Sequence, residues 1–355
     1  NANEVIANVA SKKTKTDINA NDDVNMSQSS NDVIPTAICI SASIDMQRQL
    51  LPSLDILINT IDKKMKEVKG SVKTGRTHLM DAMPIDFSQE LSGWKAQLES
   101  SKKSLIAASS RMLELPQGGT AIGTGINTHK DFSKHFCNEV NALTGLKTKQ
   151  AKNFFQGLSS VDNAVELSSA VKNLSIVLMK ISNDLRWMNS GPLTGLSEIE
   201  LEALQPGSSI MPGKVNPVIP EAVAMACADV IGNDTTITVA GQSGNFQLNV
   251  MLPVVAYNLL KSITLMANSM PLLASKAIKT FKINSKNIEE SLSKNPILVT
   301  ALNRKIGYVK AAAIAKKAYK ENKSIIDVAH KETGIDIKEL TKLLDPSKLT
   351  KGGIN

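Results

Sequence analysis

The sequence predicts an all-α protein, a long central helix bundle with a small C-terminal helical domain, on three observations. Apolar residues recur at helical spacing along five long stretches. Aromatics are 3% of the 355 residues, and the 42% hydrophobic content is mostly Ala, Ile, Leu, Val and Met, which favours helices. Polar loops punctuated by Gly and Pro separate the stretches.

The elements follow in order. Ser30, Asn31 and Asp32 offer N-cap groups ahead of a pattern containing Leu54, Leu57, Ile58, Ile61, Met65 and Val68. Pro52 is expected to kink that helix or mark a break in it, because proline removes an i→i−4 hydrogen bond. Leu91, Trp94, Leu98 and Leu105 set the next helix, and Val161, Val165, Val171, Leu174, Leu178, Ile181 and Leu185 a third. A fourth is expected to begin near Pro220 and Glu221, where proline is tolerated in a first turn, and Leu259, Ile263, Met266 and Met270 mark a fifth. Such faces are too extensive for one monomer to cover, so an oligomer is expected. After residues 291–296 the character changes, and residues 311–329 and 335–344 read as shorter, Lys-rich helices. The expected division is therefore 1–290 for the bundle and 291–355 for the terminal domain.

Composition narrows the function. Net charge is +8 and the pI about 9.2. The lysines are scattered and few aromatics are available for base stacking, so a basic surface that draws in an anionic substrate fits better than a nucleic-acid binder. No apolar run approaches a membrane span. Of three widely spaced cysteines, Cys39 and Cys227 read as small core residues of a reducing, cytoplasmic compartment. No Cys or His spacing resembles a zinc site. The opening residues carry no signal-peptide pattern, and a chain starting at Asn1 rather than Met is expected to lack its true N-terminus.

Three polar clusters carry the chemistry. In residues 207–217, Gly-Ser-Ser-Ile-Met-Pro-Gly-Lys-Val-Asn-Pro, the prolines and glycines demand a shaped loop. It joins hydroxyls at Ser208 and Ser209 to a cation at Lys214 and an amide at Asn216, which suits proton abstraction beside a carboxylate. Glu221 follows; it could pair with an imidazole or simply favour a helix N-terminus. Residues 25–32 string hydroxyls and amides into a helix start, offering donors to an anion beyond what a single cap requires. Residues 74–81 hold His78, whose titration near neutrality suits proton transfer or activation of water, although a lone loop histidine is more often structural. His129, His135 and His330 read as surface or supporting residues. The Gly-rich run 118–125 resembles a phosphate cradle only superficially, since no Gly-Lys-Ser/Thr follows; a tight turn bringing backbones together is the better reading.

With these clusters the chain resembles the class II fumarases of the fumarase/aspartase superfamily, essentially end to end. The resemblance is carried by residues 24–32, 75–81, 118–127, 207–217 and 244–250. His78 after Thr77, Arg186-Trp187, Gly244-Asn245-Phe246 and residues 300–303 look more like fumarase than aspartase. It implies a homotetramer whose active sites each collect the three clusters from three subunits, and reversible hydration of fumarate to L-malate through a C3 carbanion. By resemblance Ser208 is the base that removes the C3 proton, and His78, supported by Glu221, handles water or hydroxyl. By the same resemblance Lys214 and Asn216 match groups that bind a substrate carboxylate, Thr77, Ser29, Ser30, Asn31 and Ser209 match others, and neither metal nor organic cofactor is implied. The alternatives are an aspartate ammonia-lyase of the same superfamily, or a non-catalytic helical scaffold or inactive fragment. The resemblance also implies a front domain with a Ser-Gly-Thr substrate segment ahead of Asn1; weak or no activity is expected of a product that starts at Asn1, and working sites of a longer chain of which this is a part. At the possible second anion site, Asn19 and Ala20 stand before Asn21 and Asp22 where the family has His-Pro. Val9 and Leu193 stand where arginine is usual, and Val309 where an acid is frequent.

Overall fold

The computed structural model describes residues 1–351 and 353. Helices dominate, and the only strands among these residues form three two-stranded pairs. The chain divides into two compact units, residues 1–56, 98–180 and 222–271 in one and 57–97, 181–221 and 272–355 in the other. Five long helices supply the frame: α3 (Leu51–Glu67), α4 (Phe87–Arg111), α7 (Asp162–Met188), α8 (Val218–Gln242) and α9 (Leu252–Leu273).

The first unit opens with α1 (Ala2–Thr14) and α2 (Ser30–Asp45), and also holds α5 (Phe132–Thr144) and α6 (Phe154–Ser159). The cap of α2 is Ser29, one residue ahead of the expected groups: its side chain accepts the N–H of Asn31, while Asp32 reaches back to the Ser29 N–H in a capping box. The break expected at Pro52 takes the form of a π turn over Met46–Leu50, where the N–H of Leu51 reaches the carbonyl of Met46. Proline's ring crowds the carbonyl four residues back, at Arg48, and the wider turn relieves that crowding without ending the helix. Short strands β3 (Glu114–Leu115) and β4 (Lys149–Gln150) pair in parallel. Leu54, Leu105, Leu167, Val171, Leu174, Leu178, Ile237, Val255, Leu259 and Ile263 are buried in this unit. Asp234 on α8 accepts from Ser168 (2.7 Å) and pairs with Lys172 (2.5 Å) on α7, so its buried carboxylate is satisfied. Cys39, Cys137 and Cys227 are all buried, and burial pushes the Cys39 and Cys227 thiols up to about 12.

The second unit contains a hairpin that periodicity did not reveal, β1 (Val72–Thr77) against β2 (Met80–Asp86). A bulge at Gly75 shifts its register, and a Cβ there would sit 2.6 Å from the Met83 carbonyl oxygen, so only glycine fits. β5 (Ile199–Glu200) pairs with β6 (Lys282–Ile283). Beyond them come α10 (Ser285–Ser293), a 3-10 segment Pro296–Leu302, α11 (Asn303–Ile306), α12 (Tyr308–Glu321), α13 (Ile325–Thr333), α14 (Ile337–Leu343) and α15 (Pro346–Leu349). The single helix expected over 311–329 is therefore two. Asn322 adopts the left-handed conformation that stops α12, and Ser324 caps α13 through the N–H of Ile326. Leu298, Val299, Leu302, Ile314, Ala318, Val328, Ala329, Leu340 and Leu344 close around a core of their own. α8 starts at Val218, two residues before the expected Pro220.

Candidate active site

The loop over residues 207–217, the signature of the resemblance, is held as a ring by its own backbone. Gly207 donates its N–H to the Lys214 carbonyl (2.7 Å), Asn216 donates from Nδ2 back to the Gly207 carbonyl (3.0 Å), and Lys214 donates its N–H to Met211 (3.3 Å). A Cβ at Gly207 would meet the Lys214 oxygen at 2.6 Å, so this closure requires glycine. Inside the ring the half-buried Ser208 Oγ accepts the N–H groups of Ile210 (3.2 Å) and Met211 (3.1 Å). Two donors aimed at one hydroxyl oxygen favour its deprotonated form. Ser209 and Lys214 are exposed. Lys214 and Asn216 line a cleft of about 740 Å³ with Asn189, Ser197, Lys282 and Asn284.

His78 sits at the tip of the β1–β2 hairpin. With Thr77 paired to Met80, His78 and Leu79 are the two turn residues, at φ 57° and 60°. Neither is Gly or Asn, so the turn holds two bulky residues in a sparsely populated region, the kind of strain that collects at functional sites. Thr77 and His78 are both exposed. The base of the hairpin is fixed by buried charge. Glu198 takes Lys73 Nζ on one oxygen (2.8 Å) and Arg76 on the other (2.6 Å), and Lys73 also pairs with Glu90 (2.7 Å). Asn295 Nδ2 donates to the Ala82 carbonyl (2.9 Å) and holds β2. Glu221 occupies the first turn of α8; among the described residues no hydrogen bond or ion pair joins His78, Ser208 and Glu221 within this unit.

The third cluster belongs to the first unit. Ser29, Ser30 and Asn31 form the start of α2; Ser30 is exposed, and Asn31 Nδ2 donates to the Ala121 carbonyl (2.7 Å). The Gly-rich run 118–125 is a set of turns, as expected, and it cradles an anion of the protein's own. Gly118 and Thr120 donate N–H groups to the fully buried Asp32 carboxylate at 3.0 and 2.9 Å. At Asn19–Asp22 the donors are used internally: the Asn19 side chain accepts from Asn21 and Asp22, and Asp23 accepts the Asn19 N–H. Sequence reading took Asp32 only as a helix-start group and Arg76 only as a neighbour of His78, and it passed over Glu198 and Lys73. For Asp32 the signal was present, a glycine run rich in N–H donors lacking a phosphate motif; for Glu198 there was none.

Among the described residues there is no cluster of three or more His, Cys, Asp or Glu able to hold a metal ion, and no helix is long and apolar enough to cross a membrane. The helical frame and the signature loop define a lyase of the fumarase/aspartase class: residues 1–232 match the model of the lyase family and residues 298–351 that of the fumarase C C-terminus. The chain is 58% identical over 354 residues to fumarate hydratase class II 2 of Pseudomonas aeruginosa, covering 100% of itself and 77% of that protein. It is 57% identical to fumarate hydratase class II of Xylella fastidiosa, covering 75% of that relative. A class II fumarase from Schistosoma mansoni superposes with a TM-score of 0.95 at 35% identity, over 98% of this chain and 77% of that one. A fumarate lyase:delta crystallin from Brucella melitensis, solved bound to cobalt, gives 0.94 at 39% identity, over 99% and 77%. The chain belongs to the class II fumarate hydratase family.

Proposed function

We propose that this protein hydrates fumarate reversibly to L-malate, with Ser208 removing the C3 proton of malate and His78, supported by Glu221, handling the water or hydroxyl. The observation that carries the reading is the pair of backbone N–H groups on Ser208 Oγ. A serine hydroxyl is a poor base unless donors stabilise its alkoxide, and this loop supplies two without help from any other element. The C3 proton is weakly acidic, and its loss leaves a dianionic aci-carboxylate that needs fixed positive charge and donors. Lys214 and Asn216 provide these from the same loop; Thr77, Ser29, Ser30, Asn31 and Ser209 complete the carboxylate contacts.

The site on this reading is assembled from three copies of the chain in a homotetramer. Support comes from α8, which leaves apolar side chains exposed among its threonines: Met225 is 70% exposed and Val239 48%. The nearer a helix comes to being apolar all round, the more of it is ordinarily buried. The substrates are fumarate and L-malate, with no nucleic acid or membrane partner.

The test is ultraviolet loss of fumarate without ammonia, run beside His78→Asn. Hydration by the wild type and a loss of about 100-fold in turnover for the variant, the lower end of the range for a general acid–base, are expected. A dependence on ammonia would make it an ammonia-lyase, and near-normal rates in the variant would remove His78 from the chemistry.

A further inference from the structure

The substrate-binding reading of residues 29–31 leaves open what keeps them in place. Ser29 precedes α2 in extended backbone and Ser30 is exposed, so neither is held by packing. One residue on, Asp32 is wholly buried. Its Oδ1 accepts the Ser29 N–H (3.0 Å), and its Oδ2 accepts both Gly118 (3.0 Å) and Thr120 (2.9 Å). The Gly118 loop returns a further bond through the Ala121 carbonyl, which takes Asn31 Nδ2. The loop can approach so closely because Gly118 lies at φ 105° and Thr120 at φ 53°, conformations in which successive N–H groups converge on one anion.

We infer that Asp32 is a positioning residue for catalysis: its carboxylate ties the start of α2 to the Gly118–Ala121 loop and thereby sets Ser29, Ser30 and Asn31 to receive a substrate carboxylate. This rests on the proposed hydratase reading. Only an ionised carboxylate accepts all three N–H groups. An amide in its place turns a donor toward at least one of them, and a protonated acid does the same. Burial pushes this group above the usual 3.8, against the pull of the backbone N–H groups of Gly118, Thr120, Ser29 and Asp32 itself. As pH falls through that raised value the tie therefore loses an acceptor, and substrate binding weakens.

The experiment compares wild type with Asp32→Asn across pH. At neutral pH the variant raises KM about tenfold, the equivalent of one weakened hydrogen-bond set, with kcat changed far less because Ser208 and His78 are untouched. The ratio of the two KM values falls toward one as pH drops, since wild-type Asp32 then loses its charge while protonation of the substrate affects both proteins equally. A KM ratio near one throughout, or equal losses in kcat and KM at every pH, overturns the inference. Hydrogen exchange gives a second measure independent of turnover: faster exchange at the Ser29, Gly118 and Thr120 amides in the variant supports the tie, and unchanged exchange rejects it. A wild type that leaves fumarate untouched would instead overturn the hydratase reading, and the exchange measurement would still judge Asp32.

Discussion

Ser208 carries the hardest chemical demand in the proposed mechanism, because a hydroxyl must act as a base. Its two backbone donors, from Ile210 and Met211, come from residues two and three positions ahead, so the local turn itself prepares the oxygen. Ser208→Ala should therefore abolish exchange of the malate C3 proton with solvent, followed by isotope wash-in, while retaining the ring that Gly207, Lys214 and Asn216 close. Persistent exchange in that variant would place the base elsewhere. The residues of this loop were legible because Gly, Pro, Ser and Lys at such close spacing leave few conformations and few purposes. Asp32 was not read as functional, because two of its three partners are backbone groups more than 80 positions away, and a backbone donor is tied to no particular letter of a sequence.

At the scale of elements, the long helices were legible from periodicity alone, since Leu98, Leu105, Leu174, Leu178, Leu259 and Ile263 are buried where the helical pattern placed them. The β1–β2 hairpin was not. Its turn is His78-Leu79 rather than Asn-Gly, and its inward side chains include a charged Lys73. What makes Lys73 an interior residue is Glu198, 125 positions away and itself 3% exposed. Breaking that pair leaves Arg76 and Lys73 short of an acceptor away from water. Glu198→Gln should accordingly cost about 3 kcal/mol, seen as a lower urea midpoint with native helical signal in its absence. An unchanged midpoint would mean that the hairpin is held by Asn295 and its own ladder instead.

For the whole molecule, the proposed assembly turns on the exposed apolar positions of α8. Met225, Ile231 and Val239 leave apolar surface on α8, a helix whose other face already fills a core. Met225→Glu should shift the protein to smaller species in light scattering, with helical content kept and turnover lost, because a charge placed in an apolar interface is left unpaired. A variant of unchanged mass and rate would show that α8 is not an interface. The buried cysteines have a practical corollary at this scale. With Cys39 and Cys227 protonated at any ordinary pH and Cys137 also shielded and raised, the native fold is nearly silent to maleimides. A single thiol introduced at exposed Met211 would then be the one reactive handle, and a dye or spin label there would report directly on how the signature loop moves when a diacid arrives.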